Sequence, residues 1–398
     1  MMHILVASLS YDSATGGGGV RLAYDLATGL ARRGYRVTVV CEDLHGRGLQ
    51  REMLSGVTVL RYRLPPVRDL AIRRHEQHIQ AVERLLAEHL PEPPDILHGH
   101  SLFQYVAALR RYRGQARSCF TIHSPFVDEL RIAWGAQGLK GRINTWFGLY
   151  IIKRLEQECL AGSDAITAES EFTRGLIGQQ YGATMAGRIQ VVPGWVDMHR
   201  FVPLASGQIE ATRREMGWPH DRPVLFVLRR LEARMGLDNL LSALVLIKQD
   251  GFHPYTVIGG SGSWRTRLEK MRDELGLQDD VAFVGFVPAD RLPLAYAACD
   301  ASVIPTAQLE CFGIIALEAL ACGKPTLVTP VGALPEVMRN FEPRWIASDH
   351  TPEAIAHLIC SHLEGKLPVH TPEELRSNIM QRYTVERAIA EYEQILLG

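Results

Sequence analysis

Two glutamates separated by seven residues, Glu310 and Glu318, could hold a phosphorylated sugar. The apolar residues from Ile314 to Cys322 predict a buried helix. Gly313 precedes it, so its first N–H groups are open to an anion. Glu318 would lie about 7.5 Å further along the axis, roughly the distance from a diphosphate to its ribose. We interpret the stretch as a nucleotide-sugar site, with helix amides on the phosphate, Glu310 on the sugar and Glu318 on the ribose hydroxyls. The alternative is a surface acid and a helix salt-bridge partner.

Three arginines follow a predicted strand in the second half of the chain, Val224 to Leu228. Arg229, Arg230 and Arg234 lie between this strand and a predicted helix that begins at Leu237. Guanidinium groups match the oxygens of phosphates in pairs, so this strand-to-helix loop suits a diphosphate.

The first half of the chain begins with a predicted βαβ unit. Its glycine loop, Gly16 to Gly19, stands between a strand from Ile4 to Leu9 and a helix from Val20 to Arg33. Glu42 and Asp43 after the next strand favour a dinucleotide site, but G-x-G-x-x-G from Gly16 would need glycine where Arg21 stands. A NAD site is therefore the weaker interpretation, and a flexible turn is the remaining alternative.

Two further short strands end in histidines. Asp95 to His100 contains His98 and His100, and Cys119 to Ser124 contains His123. The carboxyl ends of parallel strands face the ligand crevice, so both ends are candidate site positions. We expect His98 and His100 to point to opposite faces and to be structural or on the acceptor side, which makes them poor joint metal ligands.

The Glu310–Glu318 stretch, with Phe312 and Gly313 after the first acid, resembles the E-x7-E signature of retaining GT-B glycosyltransferases, and most closely that of glycosyltransferase family 4. The resemblance extends over nearly the whole chain. It implies an α/β protein of the GT-B fold, with two doubly wound Rossmann-like domains facing across a cleft. Residues 1–200 would form the acceptor-side domain and residues 201–383 the nucleotide-sugar domain. A terminal helix, about residues 384–398 within an amphipathic stretch that starts at Arg376, would cross back to the first domain.

The resemblance also assigns roles residue by residue. His123 matches the histidine of the family's T-x-H segment and would lie near the donor sugar. Arg230 matches the arginine of the family's G-R-L pattern, but Met235 stands where a lysine is usual, so we hypothesise that Arg234 makes the second phosphate contact with help from Arg229. The implied catalytic residues are His123, Glu310 and Arg230. The implied donor-binding residues are Gly18, Gly19, Arg229, Arg234, Gly260, Phe286, Phe312, Gly313, Ile314 and Glu318.

Departures from the family pattern affect two turns. Gly194 and Trp195 replace the Asn-Gly of a Pro-Asn-Gly-Val-Asp segment, and Ser261 stands where Asp is common. No Asp-x-Asp metal motif stands out, so we expect no metal or other cofactor, and arginines with helix amides would neutralise the departing diphosphate.

Composition limits the remaining possibilities. The 398 residues suit two domains, and the net charge of −1 gives no reason to expect nucleic acid as a partner. Seven scattered cysteines without a C-x-x-C pair indicate reduced thiols. We find no signal peptide and no run long enough to cross a membrane, so we expect a cytoplasmic protein.

A basic and aromatic region gives one further hypothesis. Arginines lie between residues 61 and 74 and again between 110 and 142, and the stretch from Ile143 to Ile152 is aromatic and apolar. The region could be an acceptor groove for a phosphorylated or lipid-linked substrate, or a surface in contact with anionic membrane on the inner face. The alternative is a solvated face beside a core helix.

The predicted function is retaining transfer of a sugar from a nucleotide sugar, UDP favoured over GDP, to a hydroxyl acceptor. The acceptor would be a saccharide, a cyclitol or a lipid-linked glycan, in polysaccharide or glycoconjugate biosynthesis. A nucleotide-sugar 2-epimerase of the same fold is the alternative enzyme, and a sugar-nucleotide-binding protein without activity is a third class.

Overall fold

The computed structural model describes residues 1–12, 17–44, 46–48, 50–64, 74–135 and 139–398, and for residues 133–135 and 139–147 it describes the backbone alone. Gly16 and the arginines at 68 and 73 therefore lie outside the described residues, as do the aromatic side chains up to position 147. The chain forms two compact units. Unit 1 is Met1–Gly194 with Val385–Gly398, and unit 2 is Trp195–Thr384.

Unit 1 contains an eight-stranded sheet in the order β3-β4-β2-β1-β5-β6-β7-β8, parallel except for β3 against β4. Its strands are β1 (His3–Ala7), β2 (Arg36–Glu42), β3 (Arg51–Leu54), β4 (Val57–Tyr62), β5 (Ile96–Gly99), β6 (Arg117–Ile122), β7 (Ala165–Ala168) and β8 (Ile189–Val191). Its helices up to residue 186 are α1 (Gly18–Arg32), α2 (Arg74–His89), α3 (Leu102–Arg111), α4 (Phe126–Gly135), α5 (Leu139–Gly162), α6 (Glu171–Tyr181) and α7 (Ala183–Ala186).

Unit 2 contains a five-stranded, wholly parallel sheet in the order β11-β10-β9-β12-β13. Its strands are β9 (Val224–Leu228), β10 (Tyr255–Gly259), β11 (Val281–Gly285), β12 (Ala301–Ile304) and β13 (Thr326–Val328). Its helices are α8 (Ser206–Met216), α9 (Leu237–Gln249), α10 (Arg265–Glu274), α11 (Leu292–Ala298), α12 (Ile314–Ala321), α13 (Leu334–Met338), α14 (Pro352–Leu363) and α15 (Pro372–Arg382).

Burial on both faces explains why these strands read as continuous apolar runs. Every residue of β1 and β12 is buried, and the first four residues of β9 are buried as well. Parallel sheets covered by helices on both faces show this pattern, whereas half-exposed strands alternate. The predicted α/β class is confirmed.

The amphipathic stretch that starts at Arg376 is divided between two helices, α15 and a separate terminal helix. After α15, the carbonyl of Tyr383 accepts a hydrogen bond from the amide of Val196, and Thr384 forms a β-bridge with Val196. This pairing takes the backbone out of the helical conformation. A separate helix, α16 (Val385–Leu397), then packs within unit 1, where Ile389 contacts Gly29 of α1.

Candidate active site

In unit 2, the loops that follow β9 and β12 dock against each other. A Cβ atom added to Gly236 would lie 1.9 Å from the carbonyl oxygen of Pro305, so only glycine permits this approach. The amides of Ala307 and Gln308 both donate to the carbonyl of Arg234 at 3.0 Å. The sheet order makes β9 and β12 neighbours, so the arginine loop and the Glu310 loop meet at one edge.

The contact between these loops is centred on a buried ion pair. Nη2 of Arg229 donates to Oε2 of Glu310 and to Oγ1 of Thr306. Arg229 is only 8% exposed, and its Nε is buried with no partner within the described part of the chain. A buried cation of this kind is costly unless it is paired, so Arg229 and Glu310 hold each other in place.

The other two arginines have different surroundings. Arg234 is half-buried, and its Nη1 donates to the carbonyl oxygen of Leu309 at 2.6 Å. Leu309 has a φ of 51°, an uncommon conformation for a side-chain-bearing residue that this contact helps to hold. Arg230 is exposed. The loop thus offers one exposed guanidinium, one partly accessible and one buried.

Helix α12 begins at Ile314, four residues after Glu310, and its N-terminal end is fixed by the backbone. Its N-cap, Gly313, has a φ of 91° and makes no side-chain cap hydrogen bond. Gly332 approaches so closely that an added Cβ would lie 2.0 Å from the carbonyl oxygen of Glu310. The same carbonyl accepts a hydrogen bond from Ala333 at 2.8 Å, so the segment leading into α12 is fixed by backbone contacts.

Glu318 lies on the wall of α12 and is buried. Burial is the main cause that raises the pKa of Tyr296 well above its ordinary value, and the nearby Glu318 carboxylate is the second cause.

Two aromatic residues predicted to bind the donor differ in exposure. Phe312 packs in the core with a ring centroid 6.1 Å from that of Tyr383, so a ligand contact at Phe312 would come from its backbone. Phe286 is 57% exposed.

In unit 1, His123 belongs to a row of hydrogen-bonded side chains at the carboxyl ends of β5, β6 and β7. Its Nδ1 bonds to Oε1 of Glu169, and its Nε2 lies 2.9 Å from Nδ1 of His100. His98 bonds through Nε2 to Thr121 at 2.8 Å. Both ring nitrogens of His123 are therefore engaged within unit 1.

The expectation that His98 and His100 point to opposite faces is wrong. Their ring centroids lie 4.2 Å apart, because residues two positions apart along an extended strand point to the same face. Burial lowers the pKa of His98 to about 3 and that of His100 well below its ordinary value, so both rings are neutral at physiological pH.

The glycines at the start of α1 border the same histidine. Gly18 is exposed, and a Cβ atom added to Gly19 would lie 2.8 Å from Cγ of His123 and 2.9 Å from its Cδ2. Gly19 thus lies against one edge of the ring while Glu169 and His100 occupy its two nitrogens. The structure brings the predicted Gly19 and His123 together.

Within the described residues, no group of three or more His, Cys, Asp or Glu side chains is placed to hold a metal ion. In the same part of the chain, every helix is too short or too polar to cross a bilayer. All seven cysteines are buried and free, as expected from their scattered positions.

Comparison with known families decides the classification. The family described as "Glycosyltransferase Family 4" matches residues 16–200, and the family described as "Glycosyl transferases group 1" matches residues 208–382. The two matches together span most of the chain. This protein belongs to glycosyltransferase family 4.

Curated relatives agree with this assignment. A D-inositol 3-phosphate glycosyltransferase of Acidothermus cellulolyticus is 29% identical over 90% of this chain and 81% of its own length. A GDP-mannose-dependent alpha-(1-6)-phosphatidylinositol monomannoside mannosyltransferase of Mycobacterium tuberculosis is 29% identical over 54% of this chain. That match spans 57% of the mannosyltransferase, so the chain covers little more than half of this relative.

Solved structures identify the fold. Sucrose-phosphate synthase from Thermosynechococcus elongatus superposes with a TM-score of 0.81 at 20% identity, covering 99% of this chain and 98% of that one. Anabaena Alr3699/HepE in complex with UDP and glucose superposes with a TM-score of 0.75 at 17% identity, covering 100% of both chains. The family 4 chain therefore has the GT-B fold.

Two side chains of this family 4 protein were missed by the sequence analysis. Thr306 contacts the Arg229–Glu310 pair, and Glu169 contacts His123. Glu169 directly follows β7, and position at the carboxyl end of a parallel strand was a usable signal. Thr306 lies two residues after β12 and so had the same positional signal, but a threonine after a strand is common and its residue type did not single it out.

Proposed function

We propose that this protein is a retaining glycosyltransferase that moves a sugar from a nucleoside diphosphate sugar to a hydroxyl acceptor without a metal ion. The observation that carries the proposal is the Arg229–Glu310 pair beside the start of α12, with Arg230 and Arg234 on the same loop. This arrangement gathers cationic groups, helix amides and a carboxylate at one edge of the unit 2 sheet.

In the proposed reaction, the bond between the anomeric carbon and the diphosphate oxygen breaks. A bond to the acceptor oxygen forms on the same face of the sugar. The acceptor proton passes to the departing phosphate. Arg230 and Arg234 with the first amides of α12 stabilise the charge that develops on the diphosphate. Glu310 holds the sugar, and Glu318 binds the ribose hydroxyls.

The donor and the acceptor are the finer parts of the proposal. We favour UDP as the nucleotide, and one solved neighbour contains UDP. One matched relative is instead named as GDP-mannose-dependent, so both nucleotides need to be tested. The names of the relatives point to inositol phosphate or a phosphatidylinositol glycoside as acceptors to test first. We also propose a cytoplasmic location, since the seven thiols are free, with peripheral contact to anionic membrane if the acceptor is lipid-linked.

A donor and acceptor panel tests this function. The purified protein is incubated with UDP-sugars and GDP-sugars, with and without inositol phosphates and phosphatidylinositol glycosides, and released nucleoside diphosphate is measured. Acceptor-dependent release that persists in EDTA supports metal-independent transfer. Binding without turnover on any acceptor, or an epimerised sugar formed without acceptor, contradicts the proposal. A strict need for a divalent metal ion contradicts only the neutralisation of the diphosphate by arginines, and not the transfer of the sugar.

A further inference from the structure

Tyr296 of α11 is a fully buried tyrosine in the core of unit 2. Its ring packs edge-on against two other aromatic rings. The ring centroid of Phe226 lies 5.1 Å from that of Tyr296, and the centroid of Phe201 lies 6.1 Å from it. Because a packed core leaves few voids, these contacts fix the direction of the ring and with it the place of the hydroxyl.

The contact between α11 and α12 brings Tyr296 to the helix that carries Glu318. The thiol of Cys322 donates to the carbonyl oxygen of Pro293 across 3.6 Å, so these two residues face each other where the helices pack. Tyr296 follows Pro293 by three residues, and Glu318 precedes Cys322 by four. Since residues three or four apart lie on the same side of a helix, Tyr296 and Glu318 both face this contact.

The hydroxyl of Tyr296 is a donor that needs an acceptor. It is buried, and no described residue meets it with ordinary hydrogen-bond geometry. A buried hydroxyl left in this way is unfavourable. Burial and then the charge of the nearby Glu318 carboxylate raise the pKa of Tyr296 well above its ordinary value, so the hydroxyl keeps its proton. A small rotation of the Glu318 carboxyl group would supply the acceptor oxygen.

We propose that Tyr296 is a positioning residue for Glu318. Its hydroxyl donates to one oxygen of the Glu318 carboxyl group, and the other oxygen is thereby turned towards the ribose hydroxyls of a bound nucleotide. A carboxyl group has two acceptor oxygens and a soft last torsion, so a donor fixed in the core decides which oxygen faces the site. The inference rests on the proposed function, which assigns the ribose to Glu318. Every residue of the arrangement belongs to unit 2.

Nucleotides that lack the ribose hydroxyls separate this role from general support of the fold. Calorimetry measures the binding of UDP and of GDP, each with its 2′,3′-dideoxy form, to the full unmodified chain and to Tyr296→Phe. We expect the substitution to weaken binding of the preferred ribonucleotide about 3- to 10-fold, the effect of one hydrogen bond, and to leave its dideoxy form unaffected. KM for the nucleotide sugar should rise by the same factor, with kcat little changed. Equal weakening of both forms, or of neither, overturns the inference.

Tyr255→Phe is the matched control. Tyr255 begins β10, at the end of the sheet opposite to the loops of the candidate site, so the substitution should change neither affinity. Tyr296→Phe removes one oxygen atom and keeps the packing of the ring, which thermal unfolding checks.

Glu318→Ala supplies an arm that does not depend on the folding of Tyr296→Phe. The preference for the ribonucleotide over its dideoxy form should disappear in Glu318→Ala, and adding Tyr296→Phe should have no further effect because no carboxyl group is left to orient. A retained preference, or a further loss in the double variant, overturns the inference. If the unmodified protein binds neither UDP nor GDP, the proposed function fails and this inference fails with it. If it binds one of them and Tyr296→Phe has no effect, the inference alone fails.

Discussion

At the scale of single residues, the three arginines after β9 are not equivalent. Arg229 is the one buried against Glu310, whereas Arg230, which matches the family motif, is exposed. The motif position and the buried position are neighbours in the sequence but lie in different environments. Arg230 and Arg234 are therefore the candidates for the diphosphate, and Arg229 is the residue that fixes the carboxylate.

Glu310→Gln tests the role of this carboxylate in turnover. The amide keeps the size of the side chain but lacks the charge proposed to act on the sugar, so we expect kcat to fall at least about 100-fold. Nucleotide affinity, measured by calorimetry, should change little because the phosphate contacts lie elsewhere. Glu353→Gln, at an exposed position in α14, is the control. A Glu310→Gln protein with normal turnover removes Glu310 from the chemistry.

Arg229→Leu tests the buried pair as a stabilising element. Removing the cation leaves Glu310 next to Thr306 with no ionic partner, which we expect to lower the free energy of unfolding by about 3 kcal/mol. The double variant Arg229→Leu/Glu310→Leu should recover part of that loss, since neither charge is then buried alone. Urea unfolding measures both.

The control for this pair is Lys270→Ala, which breaks an exposed i,i+4 pair with Glu274 on α10. Its effect should stay within about 0.5 kcal/mol. If Arg229→Leu costs no more than Lys270→Ala, the Arg229–Glu310 contact does not hold the two loops together.

At the scale of elements, the loops at the ends of the strands require glycine at particular positions. Gly260 has a φ of 126°, and an added Cβ would lie 1.8 Å from the carbonyl oxygen of Arg229. Gly276 also has a positive φ, 66°, but has open space around it. Comparing alanine substitutions at these two glycines separates the cost of backbone strain from the cost of a direct steric clash.

We expect Gly276→Ala to lower the free energy of unfolding by about 1 kcal/mol, the strain of a left-handed alanine. Gly260→Ala should cost more than twice as much and should also weaken donor binding, because the backbone of Arg229 must move. Thermal unfolding and nucleotide titration of both variants provide the measurement. Equal losses in the two proteins would show that the approach of Gly260 to Arg229 is not tight.

Helices α4 and α5 share a buried acid that should make unit 1 sensitive to pH. Glu156 of α5 accepts hydrogen bonds from the amide of Phe126 at 2.8 Å and from the hydroxyl of Tyr181 at 2.6 Å. Burial nevertheless raises its pKa from 4.5 to about 7. The folded state thus binds a proton that the unfolded state has released, and the stability from Glu156 is present below pH 4.5 and is lost as the pH rises through 7.

Glu156→Gln should remove this dependence. Between pH 5 and pH 8 we expect the free energy of unfolding of the variant to gain about 3 kcal/mol relative to the unmodified protein. Glu158→Gln is the control on the same helix, because its pKa is lowered by Arg110 and it stays ionised over this range. Urea unfolding of each protein at the two pH values is the measurement. If the free energies of unfolding of Glu156→Gln and the unmodified protein differ by the same amount at both pH values, the burial assigned to Glu156 is contradicted.

At the scale of the whole molecule, the sequence predicted local elements better than distant pairings. The helix after Gly313 was expected to end at Cys322 and ends at Ala321, because apolar composition and the following glycine are local signals. The partner of Glu310 lies 81 residues away in the sequence, and the partner of His123 lies 46 residues away. Such contacts depend on which strands become neighbours, which a single sequence does not encode in any short pattern.

The strand-end positions were the exception to this rule. Residues that follow buried parallel strands gather at one edge of each sheet, so the region of each candidate site could be predicted while the contacts within it could not. The error over His98 and His100 arose differently, from the direction assigned to side chains two residues apart.

A crystal structure of the protein with an intact nucleotide sugar tests the central claim most directly. We predict diphosphate oxygens at about 2.7–3.2 Å from Arg230 or Arg234 and from the first amides of α12, with the ribose hydroxyls on Glu318 and the sugar on Glu310. A donor bound with both glutamates out of reach of its sugar rings would contradict the account.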